Sequence, residues 1–269
     1  MSENTFSLLE AIALRRTGDS VYEVDTHPHF WTIVSPFGGW SAAVALRAVL
    51  TECQHPLVPI SMSIHFAGRI DAGTVQVVPT RVRENKRTAF WRCELRQGGR
   101  CTLSAQIALA QHRPTRRVIE TVRPDAPDPT SLSTTEVPGI PWTTTYDSRF
   151  VTAPPGSDSG SLNSVFWVRL RHEEAVTFES LVSLCDACFP RLFFRTSEVF
   201  NAASLSMNIQ FHVDHEQLAQ MGHGFLLVEA FGNKAERGFF DQNLRVWTAD
   251  GELIATSEQL FYYALDASS

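Results

Sequence analysis

The chain has 269 residues, 43% of them hydrophobic and 19% charged, with a formal net charge of −6. That composition belongs to a globular chain able to bury a sizeable core in one large domain or two ordinary ones. The acidic balance speaks against a general nucleic-acid binder, no apolar run approaches the roughly 18 residues of a membrane span, and five cysteines without a secretion signal argue against a disulfide framework.

The first stretch, MSENTFSLLEAIALRRTG, starts polar and has a short apolar patch interrupted by Glu10, so an amphipathic surface helix is expected rather than a signal peptide. With no retention or peroxisomal tripeptide in the terminal ALDASS, a cytoplasmic protein is expected. His27 and His29 flank Pro28 in a segment that reads as extended and structural. Next, FGGWSAAVALRAVL (Phe37–Leu50) opens on glycines and continues with small and branched apolar residues, a helix without an acid. Alternation follows: Trp91, Cys93 and Leu95 fall on one side of a strand, Arg92, Glu94 and Arg96 on the other, the period of an antiparallel sheet covered on one face. Between Thr80 and Arg117 ten Lys/Arg residues meet only Glu84 and Glu94. This is either a solvated strand face or a local attractor for a phosphorylated ligand.

From His112 to Pro141 the chain holds six of its 14 prolines and a Ser/Thr cluster, which reads as a surface linker. The expected division is therefore 1–112, a linker at 113–141, and 142–269. Within GSDSG (Gly156–Gly160) the central residue is Asp158, so this is no nucleophile elbow. Thr177 is a candidate N-cap for FESLVSLCDACF, with Glu179 in the first turn. Phe178, Leu181, Val182, Cys185 and Phe189 form an apolar stripe at helical spacing, and Asp186 lies on its flank. Cys185 and Cys188 read as buried thiols rather than a redox or metal pair, and HVDHE (His212–Glu216) as a solvated loop rather than a metal site. Asp250-Gly251 marks a hairpin.

The two halves echo each other. ISMSIHF (Ile60–Phe66) and LSMNIQF (Leu205–Phe211) agree at four of seven positions, 145 residues apart. ENKRTAFW is answered by GNKAERGFF, and each half ends in a turn followed by an alternating strand, CTLSAQIAL or ELIATSEQLFYY. The shared order implies a duplication, each half an α+β layer of one long helix against antiparallel strands. A lone charge among apolar neighbours, as at Asp186, costs free energy unless it is held or used. Gln259 shares the strand parity of Leu253, Ala255 and Phe261, so its amide needs partners there: it either satisfies a backbone group or serves a site.

In the order of these features (FGG at the first helix, VFWVRLR leading into the second half, Asp186 on its helix, SLSMNIQFH, and the terminal ATSEQ), the sequence resembles the double hot-dog acyl-CoA thioesterases of the thioesterase II family. The resemblance implies a tandem hot-dog fold and hydrolysis of acyl-CoA thioesters by a water held between Asp186, Ser204 and Gln259. It implies no metal or organic cofactor and a homo-oligomer. Two departures stand out. Pro190 comes about one residue early, so the helix end is expected to differ. Ser204 shares the polar parity of Ser206, Asn208 and Gln210, so it reaches Asp186 only if that face lines the site or a bulge intervenes. A non-catalytic acyl-binding protein of the same fold is the alternative from another class. A hot-dog enoyl-CoA hydratase is a further one, although that family's Asp/His motif is not found.

Overall fold

The computed structural model describes residues 6–196, 198 and 200–264. Its first helix, α1 (Leu8–Ala11), is a single turn, not the longer surface helix expected; residues 1–5 of that stretch lie outside the described residues. Its apolar residues are pinned inward. Glu174 accepts from Ser7 Oγ at 2.6 Å and from the Leu8 N–H at 3.0 Å, and Trp40 Nε1 donates to the Ala11 carbonyl. Leu8 and Ile12 are fully buried as a result. The following residues form β1 (Arg15–Gly18) and β2 (Val21–Asp25). The segment around the two histidines is extended only at His27: Pro28–Phe30 is a 3-10 turn, and Phe6 stacks on His29.

The first half continues with α2 (Gly38–Glu52), β3 (Val58–Phe66), β4 (Thr74–Glu84), β5 (Thr88–Gln97) and β6 (Arg100–Ala110). The second contains β7 (Tyr146–Phe150), β8 (Ser164–Leu170), α3 (Phe178–Asp186), β9 (Asn201–Phe211), α4 (His215–Met221), β10 (Leu226–Phe231), the short β11 (Ala235–Glu236), β12 (Phe239–Trp247) and β13 (Leu253–Ala264). All strands join one 13-stranded antiparallel sheet in the order β1-β2-β4-β5-β6-β3-β9-β13-β12-β10-β8-β7, with β11 beside β12. The order is the same from either end: β2, β4, β5, β6, β3 in the first half answer β8, β10, β12, β13, β9 in the second. The halves meet where β3 pairs with β9, and there Ser63 faces Asn208, the position 145 residues further on. The repeated motifs thus pair with each other, symmetrically about that one pair.

Of the ten basic residues, Arg81, Arg83, Arg92, Arg96 and Arg100 lie exposed on β4 to β6, where Arg92 and Arg96 both pair with Glu94, as on a solvated strand face; the other five lie in the turn after β4 or beyond β6, where Arg117 pairs with Glu252. Asp250-Gly251 turns the β12–β13 hairpin, with Gly251 at φ +103°. HVDHE is a helix start rather than a loop: Asp214 caps α4 and Gln217 returns the bond.

The two main helices pack side by side, the start of α2 against the end of α3 and Arg47 of α2 against Glu179 at the start of α3. α2 packs on β4, β5 and β6, and its other flank packs on α3. It runs on to Glu52, past the acid-free stretch; that carboxylate serves Ser20, Tyr22 and Arg16 at the helix's far end. α3 begins where expected, with Thr177 in a capping box with Ser180, but every one of its nine residues is buried. A helix enclosed on all sides must satisfy its polar side chains internally. Glu179 pairs with Arg47 at 3.0 Å, and Ser183 shares a 2.6 Å hydrogen bond with the Tyr146 hydroxyl. α3 also ends at Asp186, three residues short of the expected Phe189. Pro190 disfavours helical geometry just before it, and a separate 3-10 turn follows over Arg191–Phe194.

Candidate active site

That early stop makes Asp186 the last helical residue, 6% exposed, at the end of α3 that meets the beginning of α2. Its carboxylate accepts from Gln259 Nε2 and from the backbone N–H of Gly39. The first N–H groups of a helix lack intrahelical partners, and the helix dipole favours negative charge there. Gly38 and Gly39 make the approach possible. A Cβ at Gly38 would stand 2.8 Å from Asp186 Oδ2 and 3.1 Å from the Phe66 ring; one at Gly39 would stand 2.7 Å from the Ser183 carbonyl oxygen. The FGG motif of the first half is therefore part of the site carried by the second.

Burial pushes the Asp186 pKa up to about 7; the bonds from Gln259 and Gly39 favour the anion but do not outweigh desolvation. The titratable groups that feel its charge are Cys185, Cys188 and Tyr146. Burial pushes all three up, Cys188 to about 11, so they stay neutral around pH 7. Asp186 is the group in this cluster that changes charge near neutrality. A carboxylate so poised can take a proton from a bound water.

Gln259 faces inward from β13, with Met207 opposite on β9 and Gln242 opposite on β12. It is 1% exposed and its Oε1 accepts from Gln242 Nε2 at 2.8 Å. Gln242 Oε1 in turn accepts from Arg191 Nε at 3.1 Å. Gln242 and Arg191 are the residues the sequence reading missed. Gln242 carried one usable signal, a lone amide at the inward parity of Phe240, Leu244 and Val246; Arg191 carried none. Cys188 is buried, as expected, but is more than apolar filling: its sulfur accepts from Arg191 at 2.8 Å.

Ser204 lies beside these groups without joining them. Leu260 faces Ser206, whereas Phe261 faces Ser204, so Leu205 is the extra residue of a bulge in β9. The bulge turns Ser204 to the inward parity of Gln259 and Phe261, where it is half-buried. No hydrogen bond links it to Asp186 or Gln259. Among the described residues no group of three or more His, Cys, Asp or Glu side chains could hold a metal ion.

Two family models match the chain: an acyl-CoA thioesterase N-terminal domain over residues 27–110, and an acyl-CoA thioesterase C-terminal domain over residues 120–263. No curated protein matches the sequence. Among solved structures, a conserved protein of unknown function with a hot dog fold from Alicyclobacillus acidocaldarius is 25% identical, with a TM-score of 0.93 over 98% of this chain and 100% of that one. An acyl-CoA thioesterase II from Mycobacterium marinum is 17% identical, with a TM-score of 0.76 over 98% of this chain and 100% of that one. Such likenesses establish an α+β fold of the hot-dog type. With both halves matched by its domain models, the chain belongs to the acyl-CoA thioesterase family and is a thioesterase.

Proposed function

We propose that the protein hydrolyses acyl-CoA thioesters to a free acid and CoA, with the attacking water held and deprotonated at Asp186. The observation that carries this reading is the placement of Asp186: a buried carboxylate with a pKa of about 7, held by Gln259 and by the Gly39 N–H. The ionised form accepts the water's proton as the water attacks the thioester carbon. Such base assistance is worth roughly 10²–10⁴ in rate. The C–S bond then breaks and CoA leaves as a thiolate, which by analogy with cysteine has a pKa of roughly 8.5 and needs little acid help. Gln259 orients the water through its amide, and Ser204, turned inward by the bulge, adds a hydroxyl to the same water. First-turn N–H groups of α2 are candidate donors to the oxyanion.

The palindromic strand order and the Ser63–Asn208 pair support a tandem arrangement of two hot-dog units, residues 1–112 and 142–269, joined by 113–141. The acid sits on α3 only, so each chain carries one site, lined from both units. No helix among the described residues is long and apolar enough to cross a membrane; a cytoplasmic homo-oligomer is the setting proposed. Release of free thiol from a panel of acyl-CoAs, by the wild type and by Asp186→Asn, tests the reading. Thiol release that Asp186→Asn abolishes supports it. Acyl-CoA binding without thiol release would favour a non-catalytic acyl-binding protein, and hydration of an enoyl-CoA with the thioester intact would favour a hydratase.

A further inference from the structure

Arg191 is a fully buried cation. Among the described residues no carboxylate lies within ion-pair distance of it. Its hydrogen bonds go to neutral acceptors: Gln242 Oε1, Ser164 Oγ at 2.6 Å, the Phe189 carbonyl at 2.6 Å and Cys188 Sγ. The ring of Phe194 lies 4.2 Å from the guanidinium carbon. Burying a charge this way is expensive, and neither packing nor an ion pair accounts for it. Its place at the head of a hydrogen-bonded chain does.

The chain Arg191–Gln242–Gln259–Asp186 has one chemically consistent direction. A guanidinium can only donate, so the Gln242 group facing it must be the carbonyl oxygen. The Gln242 amide then donates to Gln259, which leaves Gln259 Oε1 as acceptor and Nε2 as donor to the carboxylate. Without the first member either glutamine could turn over, and a reversed Gln259 would set a carbonyl oxygen against Asp186. We propose that Arg191 is the positioning residue of this site: through Gln242 it fixes the Gln259 amide so that an N–H always faces Asp186. The proposal rests on the reading of Asp186 as the base, and extends it to the group that orients its donor.

Three variants separate orientation from charge and from folding. Gln242→Glu keeps an acceptor for Arg191 and gives the buried cation a carboxylate, so the fold is retained, but an ionised glutamate cannot donate to Gln259. Gln242→Leu removes the same donor without changing any charge. Arg191→Met frees Gln242 to turn. The readouts are the Asp186 carboxyl titration by carbon NMR, assigned with Asp186→Asn, and the pH profile of thiol release from acyl-CoA. Cys185, Cys188 and Tyr146 stay neutral across the range and Arg191 stays charged, so the NMR midpoint reports Asp186.

Loss of a charge-assisted bond should move that midpoint up by about one to two pH units in all three variants, and the acidic limb of the rate profile should move with it. At about one unit below the wild-type midpoint, turnover should drop by roughly tenfold or more. A folded Gln242→Glu protein with an unmoved midpoint overturns the proposal. So does a midpoint that moves in Gln242→Glu but not in Gln242→Leu, since bare charge would then be the cause. If the NMR midpoints move as expected while the rate limbs do not follow, the positioning role of Arg191 stands and the reading of Asp186 as the base fails. If the wild-type limb follows Asp186 and the variants leave it in place, the base stands and the Arg191 proposal fails.

Discussion

Asp186→Asn should stabilise the protein at neutral pH and not at acid pH. The folded-state pKa of about 7 lies above the ordinary value of 3.8. Between roughly pH 4 and pH 7 the unfolded chain has released this proton while the folded chain keeps it. Stability contributed by the protonated group is thus full below pH 4 and lost as pH rises to about 7. Above that, both states are ionised and the difference is constant. The gap is about three pH units, each worth about 1.4 kcal/mol, for a total of about 4 kcal/mol. Asparagine cannot ionise and escapes this loss. It also turns an acceptor oxygen into a donor, which costs about 1–3 kcal/mol if the Gly39 N–H loses its partner. That cost is the same at every pH, so the change in the difference between variant and wild type is the clean quantity. Urea unfolding of both proteins at about pH 5 and about pH 8 should show the variant gaining roughly 3 kcal/mol relative to wild type. A gain under about 1 kcal/mol would mean that Asp186 ionises as an ordinary carboxyl, and the reasoning from its burial would be wrong.

Gly39→Ala should cost several kcal/mol in urea unfolding, because the Ser183 backbone carbonyl 2.7 Å from the new Cβ cannot swing aside. Gly38→Ala meets a side chain, the Asp186 carboxylate, so turnover of acyl-CoA should drop by about tenfold or more with a smaller loss of stability. Gln259→Leu should raise the midpoint of the acidic rate limb and lower the plateau, since one donor to the anion is gone. Ser204→Ala should leave stability within about 0.5 kcal/mol, as a half-buried hydroxyl off the Asp186 network, while kcat falls by about tenfold.

The parts of this protein legible in its sequence were those governed by local periodicity. The apolar stripe from Phe178 with Asp186 on its flank, and the inward parity of Gln259, follow from residue spacing alone, and the 145-residue repeat located the two strands that pair at the centre of the sheet. What stayed hidden depends on contacts between distant elements. The Gly39 N–H reaches Asp186 because the end of α3 approaches the start of α2 closely at a pair of glycines, and spacing along either helix says nothing of that approach. Arg191 and Gln242 become neighbours only when the 3-10 turn after α3 folds onto β12. The inward turn of Ser204 comes from one extra residue in β9, visible in the register with β13 and not in β9's own alternation. The terminal LLEAIAL patch read as a surface helix because its partners, Glu174 and Trp40, lie elsewhere in the chain.

The central claim is that a water is deprotonated by Asp186 with its pKa near neutrality. The pH dependence of kcat/KM for acyl-CoA hydrolysis, from about pH 5 to about pH 9, tests it most directly. The account predicts a rise through a single ionisation with its midpoint near 7, a plateau above it, and loss of both limb and plateau in Asp186→Asn. A profile flat from about pH 5, or an Asp186→Asn enzyme that keeps more than about a tenth of the rate, would contradict it.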